Sequence, residues 1–181
     1  MKDRGTETIL TERLILRRFE AGDANHAYAN WCSDPQVVKF LTWPVHASVK
    51  VTEEVIQSWI SQYCDPCFYQ WAICLKETDE AIGSISVVNR DESAEAAEIG
   101  YCIGRAYWRQ GITAEALKAV VAYLRDAGYA RICARHDTNN PASGRVMAKA
   151  GMQKEGILRH VGRNNTGICD LVIYAVIFED R

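Results

Sequence analysis

The sequence predicts a mixed α/β fold, with a central twisted mixed sheet of about six to seven strands flanked by about four helices, in the order βααβββαβαββ. Two observations carry this expectation. Segments whose apolar residues alternate with period two interleave with segments whose apolar residues recur at i, i+3, i+4 and i+7. No repeat, low-complexity tract, charge block or Pro/Gly/Ser-rich linker divides the 181 residues, which suit one domain spanning 1–181. A chain of this size removes roughly 70% of its extended surface from water on folding, so its core needs neither a disulfide nor a metal.

Thr8 to Phe19 reads as the first strand, with Ile9, Leu14 and Leu16 apolar and Arg13, Arg17 and Arg18 between or beyond them. Asp23 begins a helix. A Pro-punctuated connection from Ser33-Asp34-Pro35 to Trp43-Pro44-Val45-His46 mixes aromatic and polar residues, as a cleft wall does. Ser48 or Thr52 caps the next helix, whose Val55, Ile56, Trp59, Ile60 and Tyr63 share one face. Phe68 to Leu75, Ala81 to Asn89 and Ala96 to Ile103 form an antiparallel meander, turning first near Thr78-Asp79. In the third of these, Ala97, Ile99, Tyr101 and Ile103 share one face, and Glu98, Gly100 and Cys102 the other. A helix from about Thr113 to Ala127 carries the stripe Leu117, Val120, Val121 and Leu124 and stops at Gly128. After a strand from Tyr129 to Arg135, Asn140-Pro141 starts a helix that Gly151 closes. Gln153 to Val161 and Gly167 to Phe178 are the last strands, joined by the turn Gly162 to Thr166.

Composition excludes several functions. A net charge of −2 and a pI near 6.1 supply no positive field for nucleic acid or an anionic membrane. The N-terminus has no apolar core after its charges, and no apolar run approaches the ~20 residues of a membrane span. A cytoplasmic protein is expected. Seven cysteines, most set singly in apolar stretches (Cys74, Cys102, Cys133, Cys169), fit a reducing compartment. Cys64-Asp65-Pro66-Cys67 has redox or zinc spacing, but no second pair completes four ligands, so these two read as incidental helix-end cysteines. The four histidines (His26, His46, His136, His160) show no i, i+4 spacing, no metal is expected, and each reads as structural or surface-exposed. There is no nucleophile elbow, P-loop or GxGxxG pattern.

The junction between the Ala96–Ile103 strand and the helix after Gly111 holds the candidate chemistry. Gly111 permits a tight or left-handed backbone, the first-turn N–H groups present the positive end of the helix dipole, and Arg109 adds a full charge. Spacing alone leaves two readings open, a phosphate cradle or a plain turn before an amphipathic helix.

Glu98-Ile-Gly-Tyr-Cys-Ile103 followed by Tyr107-Trp-Arg-Gln-Gly-Ile-Thr-Ala-Glu115 resembles motif A of the GNAT acetyltransferases. Asp137 to Gly151, Lys154 to Arg159 and Asp170 to Tyr174 are similar to that family's following helix, strand and closing strand. Leu10 to Arg17, Asp34 to Val38 and Trp43 to His46 are similar to its RimJ/RimL-like branch, the ribosomal-protein N-terminal acetyltransferases. Trp108 and Thr113 depart from the commonest residues of motif A, as do Ala148 and Met152 farther on.

The resemblance implies a GNAT fold and acetyl-CoA as donor, its pyrophosphate held at Trp108, Arg109, Gln110, Gly111, Ile112, Thr113 and Ala114 and its pantetheine along Tyr101, Cys102 and Ile103. It makes Asn140 a ligand of the CoA arm or of a water; as an N-cap that side chain has a structural use as well. Acetyl transfer needs a base for the ammonium of the acceptor and an acid for the departing thiolate. Glu98 is the candidate base, against a surface or ion-paired glutamate. Ser143 is the candidate acid by resemblance, against a first-turn hydroxyl that bonds the backbone. The branch sets Trp43 to His46 beside the acceptor, so His46 is a possible acceptor contact. The expected acceptor is a peptide N-terminal amine. Alternatives are a small amine (a polyamine, an amino-acid-like toxin or an antibiotic) or acetyl-CoA binding without turnover. A monomer or homodimer is expected.

Overall fold

The computed structural model describes residues 2–179. Eight strands form one sheet: β1 (Ile9–Leu10), β2 (Leu14–Arg17), β3 (Gln70–Leu75), β4 (Ala81–Asp91), β5 (Ala96–Ile103), β6 (Arg131–Asp137), β7 (Gln153–Asn164) and β8 (Gly167–Ile177). Their order is β1-β2-β3-β4-β5-β6-β8-β7. Every neighbouring pair is antiparallel except β5 and β6. The helices are α1 (Asp23–Ala27), α2 (Pro35–Val38), α3 (Val49–Gln62), α4 (Ile112–Asp126) and α5 (Pro141–Lys149). A π-helical turn, Tyr28–Cys32, continues α1. Among the described residues no helix is long and apolar enough to cross a membrane.

The central strands are buried on both faces, and β3 reads accordingly as a nearly unbroken apolar run. Alternation sends Trp71 and Ile73 of β3 to a core shared with Leu117, Val120 and Leu124 of α4, and with Met147 of α5. It sends Ala72 and Cys74 to a second core with Phe19, Ala24, Trp31 and Ile56. The sheet is therefore a wall between two helical layers, α4 and α5 on one side and α1 to α3 on the other. The predicted stripe on α4 is the buried one, and α4 and α5 end at Gly128 and Gly151.

Three expectations are corrected. The first strand is two, because Thr11 N–H turns back onto the Leu14 carbonyl, Leu14 N–H donates to Thr11 Oγ1, and Ile9–Leu10 fold against Ile15–Leu16. The Pro-punctuated connection contains α2, where the Asp34 side chain accepts from Gln36 N–H and Pro35 fits the first turn. Neither Ser48 nor Thr52 caps α3 through its side chain: Ser48 holds the N-cap position without a hydrogen bond, and the Thr52 hydroxyl meets the His46 ring instead.

Candidate active site

The one parallel pair of the sheet is short for the strands that form it. Strands β5 and β6 are paired only at Ala96–Arg131, Ala97–Ile132 and Glu98–Cys133, yet β5 continues to Ile103 and β6 to Asp137. The strands part after Glu98. On its other edge β5 stays paired with β4 as far as Ile103. Tyr101, Cys102 and Ile103 thus present backbone groups to a gap with no strand in it, and unpaired strand edges are ready partners for an extended amide-bearing ligand.

The gap leads to the start of α4. Gly111, at the N-cap, is left-handed (φ +79°, ψ −1°), and no side chain caps the helix. Arg109 is left-handed as well (φ 64°), so the Trp108–Gly111 turn curls its backbone before the helix begins. Such a concave run of N–H groups at a helix N-terminus suits an anion. Arg109 is exposed and has no ion-pair partner among the described residues. Trp108 closes the base of the turn by donating its indole N–H to the Ile103 carbonyl at 3.0 Å, and Gln110 donates to Ala106 O at 2.9 Å. Ile112 and Thr113 are buried under the turn, and Ala114 is half-buried beside them.

A clamp from the front of the chain fixes this helix end. The Glu115 carboxylate accepts from Thr11 Oγ1 (2.6 Å), Arg13 N–H (2.9 Å) and Arg13 Nε (2.7 Å). Arg13 also donates to the Gln110 carbonyl at 3.0 Å. Burial opposes ionisation of Glu115, but these hydrogen bonds outweigh it and hold its carboxyl below the usual range.

Glu98 faces away from the α4 core, as alternation predicts, and stands where the strands part. Arg135, two residues beyond its strand partner Cys133, grips both carboxylate oxygens at 2.7 and 2.6 Å. The Glu98 side chain is 14% exposed. Beside it, Val88 is the bulged residue of β4, unpaired between the Val87–Ile99 and Asn89–Glu98 pairs, and its side chain reaches Gly100. A Cβ at Gly100 would sit 2.8 Å from Val88 Cγ1, so only glycine accepts the valine there.

On the α5 face, the Tyr101 hydroxyl crosses from β5 to the first turn of α5. It lies 2.9 Å from Ser143 Oγ and donates to the Ser143 carbonyl at 3.1 Å. Burial pushes the Tyr101 phenol up, against the Ser143 hydrogen bond, so it stays protonated. Burial likewise raises the Cys102 thiol, which disfavours its thiolate. Asn140 occupies the N-cap of α5 without a side-chain cap bond, so its amide is not committed to the helix.

A second wall, on the far side of the gap, is stitched together by residues that the sequence reading passed over as a turn. Asn165, between β7 and β8, donates its amide to the carbonyls of Val38 and Trp43, both at 2.8 Å. Its neighbour Asn164 donates to Asp137 Oδ2 at 2.7 Å, at the end of β6. The hairpin turn therefore ties the α2 segment to the end of β6. Two adjacent asparagines in a turn were the only available signal. His46 is 8% exposed, its N–H donates to Cys32 O at 2.9 Å, and its Nδ1 lies 2.8 Å from Thr52 Oγ1. Its burial lowers the imidazole below its ordinary value. His160 is surface-exposed beside Asp170, whereas His136 is buried.

All seven cysteines are free; Cys64 is exposed, and Cys67 points its thiol at Asp3 rather than at Cys64. Among the described residues no group of His, Cys, Asp and Glu could hold a metal ion.

Comparison with known proteins agrees with this geometry. The acetyltransferase (GNAT) domain family matches residues 13–153. The uncharacterized N-acetyltransferase YoaA of Bacillus subtilis (strain 168) is 33% identical over 168 residues, 92% of this chain and 94% of that one. The ribosomal-protein-serine acetyltransferase of Escherichia coli (strain K12) is 27% identical over 180 residues, covering 97% and 99%. The solved structure of RimL, a ribosomal L7/L12 alpha-N-protein acetyltransferase in complex with coenzyme A, superposes with a TM-score of 0.81 at 22% identity, covering 96% of this chain and 99% of that one. With a sheet that opens beside an uncapped helix start and a family match across most of its length, the chain belongs to the GNAT acetyltransferases, and its relatives include the RimJ/RimL-like branch.

Proposed function

We propose that the chain transfers an acetyl group from acetyl-CoA to a primary amine, with a peptide N-terminal amine as the first acceptor class. The observation that carries this is the continuity between the β5–β6 gap and the uncapped, left-handed start of α4. One ligand would need both parts: an amide-bearing arm for the open strand edges, and a pyrophosphate for the first-turn N–H groups and Arg109. Coenzyme A has that composition, and when bound acetyl-CoA supplies a thioester-activated acetyl group.

The residues then divide the proton traffic. Ser143 Oγ, held beside the Tyr101 hydroxyl, gives its proton to the CoA sulfur as the carbonyl–sulfur bond breaks and is reprotonated from solvent, while the Tyr101 phenol stays protonated next to it. Glu98 accepts the proton of the acceptor's ammonium, directly or through water. A carboxylate offers about four lone-pair positions, of which Arg135 uses two, so the pair orients Glu98 without exhausting it. Asn140 binds the CoA arm with its free amide. The Trp43–His46 wall, fastened by Asn165, borders the acceptor. The name of the E. coli relative, a ribosomal-protein-serine acetyltransferase, supports a protein as acceptor.

An acceptor panel of N-terminal peptides, polyamines and aminoglycosides, followed by release of CoA thiol, tests the reading. Turnover with peptides and not with the small amines is expected. Tight acetyl-CoA binding with no thiol release from any amine would overturn catalysis, and turnover confined to small amines would overturn the acceptor class.

A further inference from the structure

An open pocket of about 400 Å³ lies between α5 and the strands β6, β8 and β7, a size typical of small-ligand pockets. It is separate from the start of α4, none of whose residues line it. At ~100° per residue, Pro141, Arg145 and Ala148 fall on one flank of α5, and Asn140, Ser143 and Met147 on another. The cavity belongs to the first flank.

Its inner part is formed by buried His136 and Val172 and half-buried Tyr174, and its outer part by Ile157, Arg145 and Lys154. No carboxylate lines it. The Arg145 guanidinium, the Lys154 ammonium and the Tyr174 hydroxyl have no hydrogen-bond or ion-pair partner among the described residues. His136 Nδ1 is 2.8 Å from the Asp137 carbonyl, an acceptor that fixes the ring proton on Nδ1. Its Nε2 lies under α5, where a Cβ at Gly144 would come within 2.6 Å of it. The imidazole is thereby held rigid and stacked obliquely on Tyr174, with ring centroids 5.8 Å apart.

Two cations and a phenol that lack partners among the described residues, lining one pocket with apolar Val172 and Ile157, are the complement of an anion carried on a flat body. We propose that this cavity is a second binding site, for a small organic anion whose phosphate or carboxylate meets Arg145 and Lys154 and whose ring lies against Tyr174, Val172 and Ile157.

Phenyl phosphate and benzoate, titrated calorimetrically into the chain with and without saturating CoA, test this, with benzylamine as the cationic control. Saturable binding of at least one anion with a dissociation constant at or below about 1 mM is expected, retained with CoA present and absent for benzylamine. The exposed double variant Arg145→Gln/Lys154→Gln should weaken it at least about tenfold while changing CoA affinity by less than about twofold. Failure of both anions to bind, binding unchanged in the double variant, or displacement by CoA would each overturn the proposal, the last by placing the anion in the α4 cradle.

Discussion

Replacing Gly111 by alanine separates a turn from a ligand cradle. Its φ of +79° lies in the left-handed region, which costs a residue with a Cβ about 1–2 kcal/mol. Sterics inside the protein add nothing, since the nearest atom to the new Cβ, Arg13 Nη2, would be 3.7 Å away, an ordinary contact. For a chain of this length each kcal/mol lowers Tm by roughly 2–4 °C, so a fall of about 2–8 °C is expected by scanning calorimetry. Affinity for CoA should fall by more than about tenfold if the cradle proposed above is right, because the methyl would stand among the N–H groups assigned to the pyrophosphate; that factor corresponds to about 1.4 kcal/mol. Gly22→Ala is the control: its backbone is ordinary helical and its Cβ meets nothing within 4 Å, so neither quantity should move. A Gly111→Ala protein that loses Tm but binds CoA within twofold of the parent would refute the cradle and leave Gly111 a turn residue.

Three further outcomes follow from the site. Ser143→Ala and Tyr101→Phe each break the 2.9 Å hydroxyl contact and should lower kcat by about ten- to hundredfold with little change in acetyl-CoA affinity; equal losses in both quantities would make the pair structural. Glu98→Gln should remove the acidic limb of the pH–rate profile, and an unchanged profile would take Glu98 out of the mechanism. The buried His46 binds its proton less readily in the native chain than in the unfolded one, whose imidazole titrates near ~6.5. Between the lowered native value and ~6.5 the unfolded state binds more protons, so stability rises with pH there and is lost as pH falls. Urea denaturation of His46→Gln across that interval should show a shallower pH dependence than the parent, and identical slopes would discount His46.

The alternating and helical apolar patterns determined the elements, since burial of one face is a local demand that each segment meets with its own residues. The glycine at 111 permitted the turn there, whose left-handed N-cap is a local property of the backbone. The split of the first strand escaped this reading because Thr11 to Arg13 are bent by contacts with Leu14 and with Glu115, a hundred residues away in the chain. Glu98 was placed on the right face by alternation alone, but its bidentate partner Arg135 comes from another strand. Ser143 was suggested by resemblance, while its contact with Tyr101 depends on α5 crossing the end of β5. Asn164, Asn165 and His136 carried no local signal beyond a turn and a single histidine. What the sequence by itself determined is periodicity and backbone conformation, which act between neighbours along the chain. The gap between β5 and β6, the wall fastened across it and the unpaired cations beneath α5 were decided only by tertiary structure, because each depends on which groups from distant segments meet and which are left without a partner.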